Sequence, residues 1–396
     1  MQSIRNIPIA FFLLFGELFF HTSISARSTD LYGQFFTTQS GLSQSAVNAI
    51  LQDSLGFLWI GTGEGLNKYD GYSFQQFRYQ PDTISLSSNA IRCLAEGSEG
   101  VIWVGTDFGL NKLDRLRGYL WTNYLPEQEE KNQGSSQLVH ALHIDEQDNV
   151  WIRTERNLAM LDPATEQFTY YELFYDESNP SHPEEFYSMV WDPLGYIWIG
   201  TKDGLQVLEP GTGEHFRYSL SGNYGLLGNN VREVFLDHEG RIWCGTDRGL
   251  FLFLREQDRF QEAGAIFPEL GGLNVLSIAE NKKGELLIGT HESLVKIHPD
   301  LDRAEIFNGF YRPDILTRFA KIKTMHEDAS EILWLGTSMG LIKIDQKDRK
   351  FTLINSMNPD WEGLSSNMIS SIFQNENGDL WIGTDGMGLN HFAQGS

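Results

Sequence analysis

Asp53-Ser54-Leu55-Gly56-Phe57-Leu58-Trp59-Ile60-Gly61-Thr62-Gly63-Glu64-Gly65-Leu66 decides the fold, because versions of it return eight times along the chain. The anchors are Trp59, Trp103, Trp151, Trp198, Trp243, Leu287, Trp334 and Trp381, spaced by 44, 48, 47, 45, 44, 47 and 47 residues. Thr stands three residues after every anchor. Leu stands seven after it in seven copies, and one inserted residue moves the eighth to Leu389. Gly stands two after it in every copy but one, where Arg153 replaces it. Such self-similarity marks a repeat architecture.

The columns before the anchor are apolar twelve and nine residues back, as at Val47 and Ile50 or Val231 and Val234. Six back stands Asp or Asn in all copies but the second, which has Gly97. Asp bonds back to its own backbone and Gly accepts positive φ, so D-x-x-G reads as a hairpin turn between two strands. T-x-x-G-L makes a second turn into a third strand, and a fourth follows, as at Phe74 to Arg78. Each unit is four antiparallel strands in about 46 residues. One such sheet cannot bury both faces, but radial stacking buries them, which gives an all-β fold, a β-propeller of four-stranded blades.

The ends carry unequal parts of the pattern. Tyr32-Gly33-Gln34-Phe35-Phe36 resembles a fourth strand with no inner three, and Gly388-Leu389-Asn390-His391-Phe392 a third strand with no fourth. Two closures fit. Seven blades over residues 27–350 close a ring and 351–396 begin a second propeller; alternatively one eight-bladed ring uses the N-terminal strand to complete its last blade. The extra residue in the eighth copy favours the first.

Gly363-Leu364-Ser365-Ser366-Asn367, followed by Asn377-Gly378-Asp379-Leu380-Trp381-Ile382-Gly383-Thr384, carries the pattern most fully. In these columns the chain resembles the two-component regulator propeller repeat, over about residues 30–396. The resemblance implies the periplasmic sensor of a Bacteroidetes hybrid two-component histidine kinase. There, two seven-bladed propellers precede a β-sandwich, a membrane helix, a kinase and a response regulator, and the ligands are commonly glycans. This sequence ends after eight repeats, before any kinase motif. It therefore resembles an N-terminal sensor fragment, tied to a membrane only through a missing C-terminal segment.

Composition agrees with an exported domain. There are 30 basic and 53 acidic side chains, a net charge of −23, which disfavours a nucleic-acid partner. With 41% hydrophobic and 13% aromatic residues the chain is not disordered. Two cysteines, Cys93 and Cys244, make neither a disulfide framework nor a zinc site. They fall three blades apart, so both are expected as free thiols. Residues 1–26 read as a signal peptide, with Arg5, an apolar stretch from Ile7 to Phe20 and small residues at Ser23 to Ala26; a short membrane anchor is the other reading. Localisation is therefore expected to be periplasmic.

Residues that recur in every repeat are structural, so departures are the site candidates. No catalytic constellation, metal set or cofactor motif stands out. The loop Gly61 to Gly65 lacks the context of a phosphate loop, and His140 and His143 face opposite sides of a strand. The third repeat has Arg153, Glu155 and Arg156, which suit a carboxylate or sulfate and equally suit an internal salt bridge. The sixth has His291 and Glu292. Three tryptophans stand off the anchor column, Trp121, Trp191 and Trp361; Trp361, in a loop, could stack on a sugar ring or pack locally. The expected function is ligand sensing, with an oligosaccharide or other small ligand, and a second propeller or a homodimer as partner. The alternatives are an exported glycoside hydrolase or lyase, and a protein-binding scaffold.

Overall fold

In a computed structural model the described residues are 31–81, 83–125, 137–154, 158–171, 173, 186–218, 225–226, 230–312, 315–345, 364–375 and 379–392. They form seven four-stranded antiparallel sheets, one three-stranded sheet and one two-stranded hairpin. The signal stretch 1–26, Glu155, Arg156 and Trp361 lie outside the described residues.

The first blade shows the plan. Its inner strand Val47–Gln52 pairs with Leu58–Thr62, that with Gly65–Tyr69, and that with the outer strand Phe74–Phe77. The turn after the inner strand is built by Asp53. Its Oδ1 accepts from the backbone N–H of Leu55 at 3.0 Å and of Phe57 at 2.9 Å, and its Oδ2 accepts from Trp59 Nε1 at 2.7 Å. One carboxylate thus shapes the hairpin and satisfies the indole that the hairpin buries. Asp192, Asp237 and Asp328 do the same for Trp198, Trp243 and Trp334, at 3.0, 2.9 and 2.8 Å. In the sixth repeat the anchor is Leu287, which needs no acceptor, and the turn residue is Asn281. Trp59 is fully buried. Burial of an indole stabilises by roughly 4 kcal/mol as an upper estimate, more once its N–H is satisfied.

The Thr column closes the second turn. Thr62 Oγ1 donates to the Gly65 carbonyl at 3.0 Å and accepts from the Glu64 N–H at 3.1 Å. In the first, second and eighth repeats a Ser–Thr–Asn set ties the loop that leads into the blade to its second and third strands. Ser43 Oγ lies 2.8 Å from Thr62 Oγ1, and Asn67 Oδ1 accepts from the Ser43 N–H at 2.8 Å. These hydroxyls hold backbone, as their recurrence implies.

The blades pack through the glycine two after the anchor. A Cβ on Gly61 would lie 2.6 Å from Ile91 Cγ2 of the next blade. The same contact closes the circuit, since a Cβ on Gly336 in the seventh blade would lie 2.6 Å from Val47 Cγ1 in the first. The inner strands run side by side in sequence order, and Ile322–Glu327 of the seventh lies beside Val47–Gln52 of the first. Polar links span the same seam. Gln52 Oε1 accepts from the Ala329 N–H at 2.8 Å, as Glu96, Glu280 and Glu327 accept from Ser54, His238 and Lys282 of their preceding blades.

The N-terminal strand Gly33–Phe36 completes the seventh sheet, pairing Gly33 with Ile344 and Phe36 with Leu341. In the eight-bladed alternative it would have paired with the eighth sheet instead. A hairpin of Gly309–Arg312 and Ile315–Arg318, which the repeat pattern does not foretell, packs beside it, with Phe310 and Phe35 centroids 6.3 Å apart. The eighth repeat forms a three-stranded sheet, Ile369–Gln374, Leu380–Thr384 and Gly388–Phe392. Its Ile372 is 65% exposed and Ile369 42%, whereas the corresponding Ile50 is half-buried and Val47 is fully buried.

Candidate functional site

Each inner strand carries a β-bulge one residue after its first apolar position. In the first blade the register shifts between Val47 and Ala49, in the second between Ile91 and Cys93, and likewise through the seventh between Ile322 and Thr324. A bulged residue leaves the ladder and its side chain is re-aimed. The bulged residues are Asn48, Arg92, His140, Tyr187, Arg232, Leu276 and Lys323. All seven line one cavity of about 460 Å³, together with the next one or two residues of every strand but the sixth, which adds Leu276 alone. Strand order thus delivers one variable side chain per blade to the mouth of a central channel.

The mouth is basic in an acidic protein. Arg92, Arg232 and Lys323 line it, against one lining carboxyl, Glu233. Arg92 Nε pairs with Asp107 at 2.5 Å. Arg232 Nη1 donates to Asn274 Oδ1 at 2.8 Å, and Lys323 Nζ to Asn48 Oδ1 at 3.0 Å, both neutral partners. Burial, then the positive charges of Arg92 and Lys321, hold the Lys323 ammonium below its ordinary range. Burial pushes the Glu233 carboxyl up to about 8, so it is neutral at pH 7. Although partly exposed, it sits against enough protein to disfavour its charge.

His291 stands close to this rim. Burial, then Lys321 and Arg232, lower its pKa, while Glu292 raises it. Glu292 itself is exposed, and its N–H donates to Thr290 Oγ1 at 3.2 Å. Arg153 is fully buried and absent from the cavity lining, so the structure does not bring it to the mouth. It occupies the column where other blades place the glycine of the blade-to-blade contact. Trp121 packs edge-on to Phe77 at 6.1 Å, and Trp191 stacks on His143 at 4.1 Å, both as interior packing. His140 lines the channel, so the two histidines of H-x-x-H go separate ways. Cys93 lines the channel and Cys244 is buried; both are free thiols, and burial raises both.

The departures Arg153, His291 and Glu292 are not part of the bulged column. The signal was present: eleven residues before the anchor, a chain of charge −23 places Arg92, Arg232 and Lys323.

Comparison with known proteins sets this geometry in context. Residues 41–64, 85–108, 225–248 and 363–386 match the family model described as Two component regulator propeller. Histidine kinase P4 of Formosa agariphila is 42% identical over 78 residues, 20% of this chain and 6% of that protein. The extracellular domain of a putative hybrid two component system from B. thetaiotaomicron superposes with a TM-score of 0.72 at 27% identity, covering 92% of this chain and 48% of that one. The chain therefore spans less than half the length of these relatives. A streptogramin B lyase, 13% identical with a TM-score of 0.60 over 81% of this chain and 99% of that one, shows a likeness of fold alone. Four segments of this all-β chain thus match the two-component regulator propeller repeat, and its fold is that of a propeller.

Proposed function

We propose that this chain is the ligand-sensing part of a two-component system, working outside the cytoplasm, with an oligosaccharide or similar small ligand held at the channel mouth. The likeness to the extracellular domain of a hybrid two component system, at 27% identity over 92% of this chain, carries the reading. The mouth supports it, because seven blades each contribute one bulged side chain to a single cavity of about 460 Å³, within the usual range for small-ligand sites. Ligand contacts shared among blades can shift how the ring sits against its neighbours, and a sensor needs such a shift.

The eighth repeat fits this scheme as the first blade of a second propeller, over residues 351–396. Ile369, Ile372 and Phe373 are exposed, and a following blade would cover them. Residues 1–26 would serve as the export signal to the periplasm. The role is binding rather than catalysis, with output from kinase sequences elsewhere. Isothermal titration of the folded chain against a panel of neutral and acidic oligosaccharides tests the reading. Saturable one-to-one binding supports it, and silence across the panel contradicts it.

A further inference from the structure

We propose that the channel mouth contains an oxyanion subsite, built by Arg232, Lys323 and Arg92, which takes a sulfate or carboxylate substituent of the ligand. The inference rests on the sensor reading and deepens it by naming the chemical class of ligand.

Three features carry it. The first is convergence: the three cations arise on the second, fifth and seventh blades, and the bulge in each inner strand turns them into one cavity. Cations on an ordinary solvated surface spread apart to reduce repulsion, whereas these are held together by the ring. The second is incomplete neutralisation. Arg92 has Asp107, but Arg232 and Lys323 donate to the amide oxygens of Asn274 and Asn48, which carry no charge. Lys321 adds a further positive charge felt by both Lys323 and His291. Among the acidic groups, Asp107 pairs with Arg92, Asp247 donates its N–H to the Asn230 carbonyl two residues before Arg232, and the exposed Glu292 acts on His291. The third is the state of Glu233. Its carboxyl is protonated at neutral pH, so the one acid in the lining does not repel an anion and can donate its O–H to one.

The setting sharpens the point. A chain of net charge −23 repels anions at long range, so anion affinity must come from a local array. Arginine suits the two oxygens of a carboxylate or sulfate, and lysine adds a point charge without demanding geometry. The bound oxyanion would remove the mutual repulsion that Lys323 now experiences.

The test is calorimetric titration of the full chain with three matched disaccharides: a neutral parent, its sulfate ester and its uronate. The expected result is that one or both charged forms bind about ten-fold or more tightly than the parent. Within each of Lys323→Gln and Arg232→Gln, the ratio of charged-form to parent affinity should fall towards one, and Lys323→Arg should restore it. Thermal melting of each variant checks folding. Which charged form wins separates sulfate from carboxylate recognition. Equal binding of all three forms, or an advantage that survives both glutamine variants, overturns the oxyanion subsite and leaves the sensor reading standing. Silence of all three sugars and of inorganic sulfate overturns both. If inorganic sulfate binds the wild type and not Lys323→Gln while all three sugars are silent, the subsite stands and the sugar-sensing reading falls.

Discussion

Lys323 Nζ donates to Asn48 Oδ1 at 3.0 Å, joining residues 275 apart in sequence. Both are the bulged members of their inner strands, one in the seventh blade and one in the first. A single hydrogen bond therefore lies on the seam that closes the circuit and on the rim of the candidate site. Closing the circuit and building the mouth are one structural event.

Closure by close approach gives the first prediction. A Cβ on Gly336 would lie 2.5 Å from Thr324 Cγ2 and 2.6 Å from Val47 Cγ1, and neither β-branched side chain has a second rotamer to offer cheaply. Gly336→Ala should destabilise the fold by about 1–3 kcal/mol. Equilibrium urea unfolding measures it. A variant as stable as the wild type would mean that the seam is looser than described.

The turn carboxylates give the second. Asp328 Oδ1 accepts from the Ser330 and Ile332 N–H groups at 2.8 and 3.0 Å, and its Oδ2 from Trp334 Nε1 at 2.8 Å. Asp328→Ala leaves a buried indole N–H and two backbone donors without their acceptor. The cost should be about 2–4 kcal/mol, read as a lower unfolding midpoint. Asn281→Ala in the sixth repeat should cost less, because Leu287 asks nothing of it.

These same residues explain what was legible in the sequence. Asp53 and Trp59 recur six residues apart because one bonds the other, and Gly61 recurs because a neighbouring blade fills its Cβ position. Requirements imposed on every blade become columns, and columns can be read from one chain. The mouth could not be read that way. Its residues differ from blade to blade, and only the bulge, a backbone feature, shows that Arg92, Arg232 and Lys323 share a cavity. Arg153 stood out as a departure, yet nothing in its neighbours' identities revealed that it is fully buried. The hairpin beginning at Gly309 belongs to no repeat and left no periodic trace.

The N-terminal strand gives the third prediction. Phe36 lies against Trp334 at 6.1 Å and against Tyr69 and Phe74 at 5.7 Å each, so it packs the first blade to the seventh. Phe36→Ala should cost about 2 kcal/mol, less than a fully buried Phe because the ring is half-buried. Removing residues 1–36 should do more. It strips the hydrogen-bonding partner from Leu341–Asp345 and exposes a flat strand edge, so light scattering should show association that the full chain lacks.

Glu233 gives the fourth, with a definite sign. Burial raises its carboxyl from 4.5 to about 8, so the folded state binds the proton more tightly than the unfolded chain does. Its contribution to stability is fully present below the unfolded value and is lost as pH rises through the folded one. Glu233→Gln removes that dependence. The melting temperature of the variant relative to wild type should therefore rise between about pH 5 and pH 9. A constant difference would show that the carboxyl titrates normally.

The most direct measurement of the central claim, that the mouth is the ligand site, is amide hydrogen exchange with and without the tightest-binding disaccharide from the titrations. Exchange should slow at the start of the inner strands, in residues 47–50, 91–94, 231–234 and 322–325, with the opposite turn face around Asp53 and Asp328 unchanged. Slowing confined to that turn face, or to the eighth sheet at Ile369–Gln374, would contradict the account.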